Sequence, residues 1–104
     1  MAGISIKQLE GTVTNEGLCI AFNQNKKDKK GTILLKTPED RIISLSDADV
    51  DLQGVAEKPK KEIRLQFDKN TMIILNEDGI TLKGKEIKIE GSSKVMVNQS
   101  EFKK

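Results

Sequence analysis

Three aspartates at alternate positions, Asp47, Asp49 and Asp51, are the nearest thing in this chain to a metal-ligand set. Hard cations such as calcium take several oxygens spaced in this way at the opening of a loop. The pattern then breaks, because Leu52 stands where such a loop needs glycine and Lys58 where it needs a bidentate glutamate. Val50 and Leu52 also fit the buried phase of a two-residue alternation, so Asp49 and Asp51 are expected to face water and no metal site is expected. Cys19, the single cysteine, lies between Leu18 and Ile20 and is expected to pack as a small hydrophobe. The chain has no histidine to activate it. Sixteen acidic residues could by number supply a carboxylate pair for glycoside hydrolysis, but their spacing singles out no two of them. The expectation is a protein with no catalytic residue and no cofactor, and not an enzyme.

The remaining charged feature is the run Lys26, Lys27, Lys29 and Lys30, with Asp28 inside it. No aromatic residue is interleaved for stacking on bases, and eighteen basic against sixteen acidic residues leave a net charge of only +2. The run reads as a solvated loop, and nucleic acid is not an expected partner.

Whatever this chain does must therefore come from its elements and not from a reactive centre. Its 104 residues allow one domain. Hydrophobic residues make up 36% and charged residues 33%, and aromatic residues are only 3%, so large core-filling side chains are scarce. The amino terminus does not read as a secretory signal, and no apolar run approaches the length of a membrane span. One cysteine permits no internal disulfide, in keeping with synthesis in a reducing cytoplasm.

Sliding the sequence by thirty residues lays Ile33–Gly54 on Ile63–Gly84 without a gap. Identities fall at Ile33/Ile63, Leu35/Leu65, Ile43/Ile73, Leu45/Leu75, Leu52/Leu82 and Gly54/Gly84. The apolar identities share one phase of a two-residue alternation, which is the signature of half-buried strands. The predicted strands carry Ile33-x-Leu35, Ile43-x-Leu45, Val50-x-Leu52, Ile63-x-Leu65, Ile73-x-Leu75, Ile80-x-Leu82, Ile87-x-Ile89 and Val95-x-Val97. Pro38-Glu39-Asp40, Asp47-Ala48-Asp49, Asn76-Glu77-Asp78-Gly79, Gly84-Lys85 and Gly91-Ser92-Ser93 supply turns between them. Residues 1–30 match the repeat poorly, although Ile4, Ile6, Val13, Leu18, Ile20 and Phe22 still suggest strands. The chain is expected to be all β.

From Ile73 onward, strands begin every seven or eight residues, and each offers about two inward apolar positions. Two architectures can use such strands. One is a monomeric β-sandwich or small barrel, which in so short a chain normally needs larger core residues. The other is an intertwined homotrimeric β-helix, a β-prism in which three chains each supply one face. In the prism Ile73, Leu75, Ile80, Leu82, Ile87, Ile89, Val95 and Val97 would line the axis, and Gly79, Gly84 and Gly91 would let the backbone turn at the corners. Residues 1–30 would form a small β collar with the lysine-rich loop, and residues 31–104 the repeat β-helix.

The stretch Ile63 to Val97, most clearly Asn76-Glu77-Asp78-Gly79-Ile80-Thr81-Leu82-Lys83-Gly84-Lys85 and on to Gly91, resembles the spike β-helix of the valine-glycine repeat (VgrG) proteins of type VI secretion. The central spikes of contractile phage tails share the same short IxL or VxV strands with Asp-Gly and Lys-Gly turns. The resemblance implies a homotrimer with a mechanical role: a rigid point driven through a target membrane. A hub or tube protein would meet its N-terminal end, and a tip or effector protein its C-terminal end. It also implies assembly into an injection device or virion after cytoplasmic synthesis, and delivery outside the cell. The chain departs from the family in having no room for the oligonucleotide/oligosaccharide-binding type domain and hub that usually precede the spike. It also has no histidine pair to hold an iron ion at the tip.

Overall fold

A computed structural model describes residues 10–98. The predicted strands at Ile4 and Ile6 lie outside the described residues. Seven strands follow one another: β1 (Glu10–Asn15), β2 (Leu18–Gln24), β3 (Gly31–Lys36), β4 (Ile42–Ser46), β5 (Glu62–Asp68), β6 (Thr71–Asn76) and β7 (Gly79–Lys83). Each pairs antiparallel with the next, giving one open sheet in the order β1 to β7. The chain is all β, with no helix among the described residues. No helix is therefore long and apolar enough to cross a membrane, which leaves strand-built membrane proteins untouched.

Short hairpins follow from the turn chemistry. Glu16 and Gly17 both take positive φ, at 51° and 91°, the backbone of the tight two-residue turn that suits the right-handed twist of a hairpin. Between β6 and β7, Asn76 Oδ1 accepts from Asp78 N at 2.9 Å, and Gly79 follows at a φ of 129° that side-chain-bearing residues rarely adopt. Gly79 thus lies at the β6–β7 hairpin turn. At Gly91 the reason is space, because an added Cβ would overlap the Lys94 carbonyl oxygen. Gly84 has neither constraint: its φ is not positive, and a Cβ there would stand 3.5 Å from the nearest atom.

The core lies on one face of the sheet. Cys19, Ala21, Leu34 and Ile42 point into it and Leu52 closes it, with Val50 and Val55 packed alongside. The Val50-x-Leu52 pair is therefore not a strand lined up with the other IxL pairs. It belongs to the long β4–β5 connection, which folds back as a strap over this same core face, and Leu52 is 7% exposed there. The period-two pattern at these residues is real, but β4 pairs directly with β5 and leaves no place for a strand between them. Small residues under the strap let it approach closely, and the Thr32 hydroxyl, 2.7 Å from Ser46 Oγ, is satisfied by the Ser46 side chain.

The three aspartates hold this strap. Asp47 Oδ2 accepts from Gly31 N at 2.9 Å, Asp49 Oδ1 accepts from Lys61 N at 2.8 Å, and Asp51 pairs with Lys58 at 3.3 Å. Val50 N donates to Pro59 O at 3.0 Å and completes the closure. Each carboxylate is directed to a different partner of the loop.

Candidate functional site: an aliphatic sheet face

Successive side chains of a strand point to opposite faces, so a register that pairs like phases builds continuous rows. Here the registers produce two. Ile20, Leu35, Ile43, Leu65, Ile73 and Leu82 stand opposite one another from β2 to β7. Phe22, Ile33, Leu45, Ile63, Leu75 and Ile80 form the second row across the same strands. From β3 onward every cross-strand contact in both rows sets an isoleucine against a leucine, the kind of branched pair that stabilises a pleated surface.

This face is the one away from the strap. Apart from Phe22, which is partly buried, the row residues are large hydrophobics left open to solvent, from 37% at Leu75 to 70% at Ile80. These eleven side chains expose on the order of 1,000 Å² of apolar surface, more than a monomeric soluble protein usually leaves uncovered. The face carries a trough of about 860 Å³, whose walls include Ile20, Leu35, Ile43, Leu65, Ile73 and Leu82. The opposite face over β5–β7 is mainly polar, with Arg64 Nε donating to Glu62 at 2.7 Å and Arg64 Nη1 donating to Gln66 at 3.0 Å, and its apolar residues Met72 and Ile74 are half-buried. The exposed apolar face is thus confined to one side of the sheet.

Of the residues expected to line an axis, Ile73, Leu75, Ile80 and Leu82 fall together in these rows. Ile87 and Ile89 lie beyond β7, unpaired in the sheet, and line the trough beside Leu18 and Ile20. Val95 and Val97 likewise belong to no strand, and are 49% and 61% exposed. The expected strands at Ile87-x-Ile89 and Val95-x-Val97 are therefore not formed, and neither segment has a ladder partner among the described residues. Ile20 and Phe22 head the two rows although they lie in the segment that matches the repeat poorly. The signal that places them is the shared alternation of Leu18, Ile20 and Phe22, which needs no repeat to be seen.

Phe22 is accommodated by a neighbour with no side chain. Gly11 is its cross-strand partner on β1, and a Cβ at Gly11 would stand 2.5 Å from the Phe22 ring. At the margin of the face the Arg41 guanidinium lies 3.9 Å from the centroid of the Phe67 ring, a cation–π contact.

No titratable group sits in either row, so the face offers burial and shape and no proton transfer. Cys19 is buried on the strap side. The perturbed ionisable groups are Lys61 and Glu77, an exposed pair: their hydrogen bond and mutual attraction raise the lysine above its ordinary value and lower the glutamate below its own. Glu77 therefore favours the folded chain above the ordinary carboxylate range and loses that contribution in acid, while Lys61 loses its contribution in strong alkali. Neither effect varies near neutral pH. Among the described residues no three His, Cys, Asp or Glu side chains converge as a metal ion would require.

Comparison with protein-family models, curated proteins and solved structures finds no match to this chain.

Proposed function

We propose that the chain is a non-enzymatic structural spike of a contractile injection system or phage tail, built as a homotrimeric β-prism with the two aliphatic rows turned inward. The observation that carries this reading is the continuity of those rows across six strands on an otherwise uncovered face. Strands of five to seven residues make a face about 17–23 Å wide, which sets the axis of a three-sided prism about 5–7 Å from each sheet. That is the depth an isoleucine or leucine side chain fills. Hairpin turns then fall at the corners, and the sheet order runs along the axis. The segment after β7, with Ile87, Ile89, Val95 and Val97 exposed, continues toward the tip and takes its partners from the other two chains. A hub or tube protein would meet the β1 end, and a tip or effector protein the far end. The target membrane would be touched only in passage.

The test is a pair of substitutions on adjacent residues of β7. Leu82→Asp places three carboxylates in one dry layer around the axis, and the trimer should not assemble. Thr81→Asp, on the exposed outer face, should assemble as the parent does. Gel filtration reads the outcome, with circular dichroism to report strand content. Equal assembly of the two variants, or greater damage from Thr81→Asp, contradicts the inward assignment.

A further inference from the structure

In a meander, successive hairpin turns alternate between the two margins of the sheet. The β2–β3 and β6–β7 turns therefore share one margin, and the β1–β2, β3–β4 and β5–β6 turns share the other. At the heights of the β2–β3 and β6–β7 turns the two margins carry unlike charges; the β4–β5 connection, which shares the first margin, has its Asp47, Asp49 and Asp51 held within the chain. On the first, the β2–β3 turn presents Lys26, Lys27, Lys29 and Lys30, and the β6–β7 turn presents Asp78 beside Glu77, which is paired with Lys61. On the second, Glu16 and Glu39 lie on the turns just above and below the height of the lysine turn. Lys69 and Lys85 bracket the height of Glu77 and Asp78 in the same way.

The lysine turn is a built element and more than a solvated run. Asn25 N donates to Lys30 O at 2.8 Å and Lys29 N to Asn25 O at 2.9 Å, with Lys29 held at a φ of 65°. Asn25 Oδ1 accepts from Lys27 N at 2.8 Å, and Asp28 Oδ1 accepts from Lys30 N at 2.9 Å. The acid inside the run is therefore engaged with the backbone. All four lysines are exposed, and among the described residues none forms an ion pair. On the other margin Asp40 is held by Lys36 at 3.2 Å and the Arg41 Nη1 donates to the Glu39 backbone O, while Glu39 is exposed and forms no ion pair among the described residues.

A three-fold rotation about an axis along the sheet order brings one margin of a chain against the opposite margin of its neighbour at equal height. We infer that the occupant of the lysine turn is a second copy of this chain: Lys26–Lys30 of one copy meets the Glu16 and Glu39 turns of the next, and Asp78 meets Lys69 and Lys85. This inference rests on the prism reading and adds to it a direction. The contact is head-to-tail and closes into a ring under the three-fold rotation, whereas a two-fold pairing would set lysine turn against lysine turn. The rows supply the burial. The margins fix height and order, because a copy displaced along the axis would oppose like charges.

The experiment is chemical cross-linking of the full chain with a short bis-maleimide. Lys27→Cys and Glu39→Cys stand on opposite margins, about 17–23 Å apart within one chain, too far for the reagent to join them internally. The double variant should give covalent species of two and three chain masses. Each single variant and the parent, whose Cys19 is buried, should stay single chains. In parallel, Lys27→Glu with Lys29→Glu should raise the dissociation midpoint about tenfold at low salt, and adding Glu16→Lys and Glu39→Lys should restore it. A trimer in which the double variant does not cross-link overturns the pairing of the lysine turn with the Glu39 turn and leaves the prism standing, whereas Lys27→Cys alone linking to itself shows a two-fold contact and overturns both. A parent protein that is not trimeric overturns both.

Discussion

Gly11 shows how a single side chain, or its absence, sets the end of the aliphatic face. Its Cα is the floor on which the Phe22 ring rests, at the head of one row. A glycine in a strand costs order, and an aromatic ring laid across it from the next strand restores cover to the bare backbone. Gly11→Val should therefore displace the ring and lower stability by about 1–3 kcal/mol, whereas the same change at Thr12, exposed on the next position of β1, should be nearly silent. Thermal unfolding of the two variants at one protein concentration checks this. An undiminished melting temperature for Gly11→Val would show that the ring has another place to go. The buried residues were the least legible in the sequence for a related reason. Ala21, Thr32 and Ser44 look like ordinary surface or strand positions, and they are buried because a loop distant in sequence lies on them. Ser44 Oγ has no hydrogen-bond partner there, which no local pattern announces.

At the scale of elements, alternation and turn chemistry identified β3, β4, β5, β6 and β7 with their facing residues, because each IxL pair is bounded by a short turn that fixes its register. The same reasoning misplaced Val50 and Leu52. A period of two says only that two side chains share a side, and the neighbour that makes a strand out of them is a tertiary matter. Ile87-x-Ile89 and Val95-x-Val97 show the converse: the pattern is present, but no strand among the described residues pairs with it. The strap and the aliphatic rows are thus separate burial problems on the two faces. Leu52→Ala should open the strap side and destabilise the fold by about 2–4 kcal/mol, leaving the oligomeric mass unchanged because the rows are untouched. Denaturant unfolding beside light scattering separates the two quantities. A change in mass would mean that the strap takes part in assembly.

At the scale of the molecule, the described residues cover one face of the sheet and leave the other open. The covered side has small residues and a strap pinned by Asp47, Asp49 and Asp51. The open side has large aliphatic side chains in register, with no polar group among them. A chain with three phenylalanines and neither tryptophan nor tyrosine has little with which to cover that side itself, and copies of the chain have the matching surface. The mass of the purified chain in solution, by light scattering coupled to gel filtration at micromolar concentration, tests this most directly. The account predicts three times 11.5 kDa. A single-chain mass, or a dimer closed as a sandwich, would contradict it.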